Sequence, residues 1–98
     1  MVKLLMTWDV RPGKEEPHIE FVAKTFIPRM VRLDMRLIDI WSTLYGQDVP
    51  QMSIGWAAED RPTALRVMNT REWRSLHEQL GEFVTDFRFK IVPLDTVV

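Results

Sequence analysis

Apolar residues crowd the start of the chain, where Val2, Leu4, Leu5, Met6 and Trp8 run up to the breaker Arg11-Pro12-Gly13. A run of this kind, stopped by Pro and Gly, predicts a strand over 2–9 followed by a turn. The period then changes. Ile19, Val22, Ala23, Phe26, Ile27 and Met30 recur at helical spacing and form one stripe of a helix laid on a core. Pro17 suits its first position, and Glu15 and Glu16 place negative charge at the positive end of its dipole. Phe21 falls off the stripe and is expected to point to solvent or to something beyond the core. Pro28 has no N–H for the Lys24 carbonyl, a loss of about 3 kcal/mol in a regular helix, so a kink or break is expected there.

The stretches 36–44 and 51–58 are β-prone, and the Gly, Asp and Pro of Tyr45-Gly46-Gln47-Asp48-Val49-Pro50 between them suit a hairpin connection. Asp60 can cap a second helical region, with Pro62 in its first turn, and Asn69-Thr70 offers a fresh cap that splits this region in two. Beyond it Trp73, Leu76, His77, Leu80, Phe83 and Val84 lie along one helical stripe. Phe87, Phe89 and Ile91 alternate with Arg88 and Lys90, a half-buried strand over 87–92. The order is therefore βαββαβ, and the class is α+β. Its natural arrangement is ferredoxin-like, a four-stranded antiparallel sheet with two helices on one face.

The other face of that sheet is expected to need a cover. Strands one and two offer apolar residues on both alternations, with Leu4, Met6 and Trp8 against Leu5, and Ile38 and Ile40 against Leu37 and Trp41. Two sheets packed face to face, from two subunits, would bury both faces at once. A chain of 98 residues buries only about 60–65% of its unfolded surface, a modest core for four Trp, five Phe and six Met. Self-association is the simplest way to cover the remainder, so a homodimer is expected.

Charge and composition narrow the function further. Residues 1–98 read as one domain, without repeat, low-complexity stretch or linker. Thirteen Lys and Arg against fourteen Asp and Glu give a net charge of −1, so no overall cationic field draws the protein to nucleic acid or an anionic membrane. No apolar stretch approaches the roughly 20 residues of a membrane span, and 1–9 is too short and too soon interrupted for a secretory signal. The absence of Cys excludes disulfides, thiol nucleophiles and thiolate metal sites, and a cytoplasmic location is expected. No Gly-x-Ser-x-Gly elbow, dinucleotide fingerprint or phosphate loop is present.

Several residues are candidates for chemistry. His77, on the apolar stripe of the second helix, can serve as a general base or as a core-edge imidazole with one hydrogen-bond partner. His18 stands beside Glu15, Glu16 and Glu20, but two His without a third convergent ligand make no metal site. Trp8, Trp41 and Trp56, one on each of strands one to three, can wall a flat organic ligand or simply pack a core and an interface. Trp56 should share a side of its strand with Met52 and Ile54. Arg36, Asp39, Arg88 and Lys90 interrupt apolar strands, where a buried charge must be paired or near water. They can hold a ligand carboxylate or fix strand register across subunits. Asp39, amid Ile38, Ile40 and Trp41, needs a donor, for which Arg88 or Arg36 is the expected type.

Leu37-Ile38-Asp39-Ile40-Trp41-Ser42-Thr43-Leu44-Tyr45-Gly46 resembles the second strand of the NIPSNAP-like group within the dimeric α/β-barrel superfamily. Met52-Ser53-Ile54-Gly55-Trp56-Ala57-Ala58-Glu59-Asp60 is similar to that group's third strand, and Arg71-Glu72-Trp73 to its second helix. Val10-Arg11-Pro12-Gly13-Lys14 resembles the turn after strand one across the superfamily. The resemblance spans nearly the whole chain. It implies a homodimer whose sheets close into a barrel, with a small apolar or aromatic molecule taken up in that barrel. The alternative it implies is a cofactor-independent monooxygenase or isomerase, related to antibiotic biosynthesis monooxygenases, in which His77 accepts a proton and the strand Trp residues hold the ring. Haem-degrading relatives combine a strand-one Asn with a Trp and a His near the second helix. Those Asn and Trp positions fall here on Met6 and Val67, so no cofactor is implied.

Overall fold

Along the first strand Leu4, Met6 and Trp8 are fully buried and alternate with Lys3, Leu5 and Thr7, the period of a sheet with two differently covered faces. The computed structural model describes residues 1–43 and 50–95. Four strands, β1 (Val2–Val10), β2 (Arg36–Ser42), β3 (Met52–Ala58) and β4 (Val84–Pro93), pair antiparallel in the order β2-β3-β1-β4. The α-helices α1 (Glu15–Phe21), α2 (Ile27–Arg32), α3 (Arg61–Met68) and α4 (Arg71–Leu80) complete the expected βαββαβ order among the described residues. The hairpin expected over 45–50 lies, apart from Pro50, outside the described residues.

The first helical element carries the expected interruption in an unexpected form. Between α1 and α2 the chain makes a π-helical turn over Val22–Phe26, closed by the Ile27 N–H donating to the Val22 carbonyl. This i→i−5 step shifts the hydrogen-bond ladder by one residue just ahead of Pro28, and the rod continues through the proline to Arg32. The shift also rephases the buried stripe. His18, Val22, Phe26 and Met30 are buried at a spacing of four, which a regular α-helix would rotate by about 40° at each step. Ile19 is consequently exposed, and Ala23 with it, contrary to the expected stripe. Phe21, expected to point away, packs on Phe83 and Phe26 with ring centroids 5.2 and 6.4 Å apart.

The second helical region divides as expected. The Asp60 carboxylate accepts from the Thr63 N–H at 2.8 Å to cap α3, and the Thr70 hydroxyl accepts from the Trp73 N–H at 3.1 Å to cap α4. Trp73, Leu76 and Leu80 face the sheet. Phe83 and Val84 do not prolong that stripe, because the helix stops at Leu80 and Val84 opens β4.

Two irregularities decide which side chain faces where. In β2 the pairing with β3 slips between Leu37 and Asp39, leaving Ile38 as the extra residue of a bulge. Leu37 and Ile40 thereby fall on the same face, opposite Trp56 and Ile54, although strict alternation would separate them. In β4, Asp86 and Phe87 together oppose Trp8, with Asp86 at the positive φ of 58° that such a bulge accommodates. All helices cover one face, and the core is the layer between them and Leu4, Met6, Trp8, Met52, Ile54 and Trp56.

Candidate functional site

The residues singled out from the sequence separate into three places. Trp8 and Trp56 lie on the helix-covered face, fully buried, and Trp56 shares its side with Met52 and Ile54 as expected. Their rings join a continuous aromatic packing. Phe26 touches Trp8, Trp56 and Trp73 at centroid distances of 5.6, 6.3 and 6.1 Å, and Phe87 stacks on Trp8 at 6.1 Å. Phe26, Met30 and Met35, none more than 2% exposed, help to fill this layer. The Trp56 indole N–H is buried without a hydrogen-bond partner, a cost that good ring packing offsets. The Trp8 N–H instead donates to Nε2 of His18 at 2.9 Å.

His77 stands at the rim of the same layer. It is exposed, with its ring 5.4 Å from Trp73 and 4.7 Å from Phe87. The imidazole is a lid on the aromatic edge, and the sheet separates it from the charged residues named above.

The helix-free face gathers the others. Register places twelve residues there in three rows across the strands: Arg36, Ala57, Lys3 and Val92; then Asp39, Gly55, Leu5 and Lys90; then Trp41, Ser53, Thr7 and Arg88. Arg36, Asp39, Trp41 and Arg88 therefore share one surface, while Trp41 stands on the opposite side from Trp8 and Trp56. The three strand tryptophans form no common wall.

At the centre of this face Lys3 Nζ donates to Asp39 Oδ2 at 3.0 Å, with the Lys3 side chain 2% exposed and that of Asp39 26%. The donor to Asp39 is thus neither Arg36 nor Arg88. Arg88 instead pairs with Asp86 at 3.5 Å, both exposed. The Lys3–Asp39 pair crosses directly over Gly55. A Cβ at residue 55 would stand 2.5 Å from Asp39 Oδ1 and 3.2 Å from Lys3 Cδ, so only glycine leaves room for the bridge. Lys3 and Gly55 went unremarked in the sequence. The available signal was a lysine inside the apolar run Val2–Met6 and a glycine between Ile54 and Trp56, each needing a reason to be there.

On the same face a groove of about 370 Å³ is bordered by Leu5, Thr7, Pro50, Arg88 and Lys90. A second hollow, of about 290 Å³, opens on the helix side where α1 meets the ends of β2 and β3, lined by Val10, Glu15, His18, Ser42, Thr43 and Gln51 among others. Among the described residues no three His, Cys, Asp or Glu side chains gather as a metal site requires, and no helix is long and apolar enough to cross a membrane.

Solved structures share this architecture. An uncharacterised NIPSNAP domain protein from Burkholderia xenovorans matches with a TM-score of 0.71 at 14% identity, over 100% of this chain and 99% of that one. A protein from Arabidopsis thaliana matches at 0.80 and 9% identity, over 100% and 99%. A dimeric protein of unknown function and ferredoxin-like fold from Bacteroides fragilis matches at 0.61 and 10% identity, over 95% of both chains. No protein-family model matches the sequence, and no curated protein matches it either. At such identities the likeness is one of fold: the chain has the ferredoxin-like fold that NIPSNAP domain proteins share.

Proposed function

We propose that this chain, NIPSNAP-like in fold, is a small binding domain that pairs with a second copy over its helix-free sheet face and takes up a small aromatic or apolar acid there. The observation that carries the reading is the groove of about 370 Å³ in which Arg88 and Lys90 stand beside Leu5 and Thr7. Apolar floor and cationic border together fit a molecule with a hydrocarbon body and a carboxylate.

Two further features support it. Trp41 is 57% exposed on this face, beside the charged rows, and a sheet with one uncovered face is completed by a second layer. The solved Bacteroides fragilis structure of the same fold is a dimer. The three rows carry four cations, Lys3, Arg36, Arg88 and Lys90, against the single carboxylate of Asp39. Two such faces turned toward each other would concentrate positive potential in the space between them, which an anionic guest neutralises.

Calorimetric titration with phenylacetate tests the reading. Binding is expected to weaken about tenfold in Arg88→Gln and to fall as salt is raised. Equal binding of phenylacetate and uncharged ethylbenzene, or an unchanged affinity in Arg88→Gln, would contradict it.

A further inference from the structure

A second site follows from the buried pair Trp8–His18. His18 is 1% exposed and accepts the Trp8 indole N–H at Nε2, 2.9 Å away. Burial holds its pKa below the ordinary histidine value, so the ring is neutral near pH 7. A neutral imidazole carries one proton. With Nε2 committed as an acceptor, that proton is on Nδ1, and among the described residues His18 makes no other side-chain hydrogen bond.

His18 lines the hollow of about 290 Å³, and Trp8 is not among the described residues that line it. Several uncharged donors stand around it. Gln51 spends its carbonyl oxygen on the Val10 N–H, which leaves its amide NH2 to donate, and Ser42 and Thr43 add hydroxyls. Among the described residues Glu15 is the one charged residue of the lining, with one of its oxygens taken by the Gly13 N–H. The described residues of the hollow thus offer several uncharged donors, one carboxylate and no cation, the reverse of the groove on the helix-free face. A carboxylate ligand would meet Glu15 with nothing to neutralise it.

We propose that this hollow binds a small neutral carbonyl compound, a ketone or aldehyde, whose oxygen accepts a hydrogen bond from His18 Nδ1–H. Trp8 is a positioning residue: its N–H fixes the tautomer that makes His18 a donor on the side of the hollow. A neutral imidazole gives such a bond without the desolvation cost of a cation and polarises the carbonyl it holds. The site stands apart from the proposed acid groove and does not depend on it.

The test is a ¹⁵N NMR titration of the histidine rings and backbone amides with acetophenone, set against ethylbenzene, which has the same ring but no oxygen. Acetophenone should move the His18 Nδ1 resonance and the Ser42, Thr43 and Gln51 amides saturably, and ethylbenzene should leave Nδ1 in place. His18→Phe, which keeps a ring at that position, should weaken acetophenone binding about tenfold. Trp8→Phe serves if that variant does not fold, and should weaken the binding several-fold while the His18 tautomers mix. No saturable change at His18, the same Nδ1 response to both compounds, or full affinity in whichever of these variants folds would overturn the proposal.

Discussion

The two faces of the sheet are built on opposite principles from the same four strands. The helix-covered face presents Leu4, Met6, Trp8, Ile54 and Trp56 to a layer in which aromatic rings lie 5–7 Å apart, and it is closed. The helix-free face alternates Leu5, Trp41 and Val92 with Lys3, Arg36, Asp39, Arg88 and Lys90. One face draws its energy from removing apolar area from water, which tolerates no charge; the other combines modest burial with charge, which specifies a partner or a ligand. On the function proposed above, stability lies on one side of the sheet and recognition on the other, with His18 as the polar exception at the edge of the stable side.

Breaking the closed face should have the largest effect. Phe26→Ala removes the ring that touches Trp8, Trp56 and Trp73, and should cost about 3–5 kcal/mol in denaturant unfolding. Next comes the ion pair at the centre of the open face. Asp39→Ala strips a carboxylate from the deeply buried Lys3 ammonium and should cost about 3 kcal/mol, the low end for a buried pair because Asp39 retains some contact with water. Asp39→Asn keeps an oxygen to accept from Lys3 and should cost clearly less. If Asp39→Ala is neutral, the bridge is a surface pair and the contrast between the faces weakens.

A finer comparison separates two tryptophans that are both fully buried. Trp8→Phe removes the N–H that His18 accepts, whereas Trp56→Phe removes an N–H with no partner. Trp8→Phe should therefore be the more destabilising by about 1–3 kcal/mol in matched denaturation curves. The smallest effect is one of pH. His18 titrates lower in the folded protein than in the unfolded chain, whose value is 6.5, so the unfolded state binds the proton first as pH falls. The stability His18 contributes as a neutral ring is fully present above that value and drains away below it, with a slope no steeper than about 1.4 kcal/mol per pH unit. In His18→Gln this part of the slope should vanish from a series of melts between pH 7 and 5.

The sequence showed the strand and helix order plainly, because period-2 and period-3.6 runs bounded by Pro, Gly, Asp60 and Thr70 are local signals. What it concealed depended on phase. The π turn at Val22–Phe26 and the bulge at Ile38 each add one residue to a period, which moved Ile19 outward, Phe21 inward and Leu37 onto the helix side. The Lys3–Asp39 bridge was hidden because its partners are 36 residues apart and meet only once β1 and β2 flank Gly55. Trp8 and His18 are ten residues apart, but the turn and the rephased helix that bring them together leave no pattern in the apolar spacing.

The division of labour between the faces is tested most directly by native mass spectrometry of the intact protein beside a Trp41→Glu variant. The parent should appear at twice the 11.6 kDa chain mass, and the variant, with its closed face untouched, as a folded single chain. A parent that runs as a single chain, or a Trp41→Glu dimer as stable as the parent, would contradict the assignment of recognition to the helix-free face.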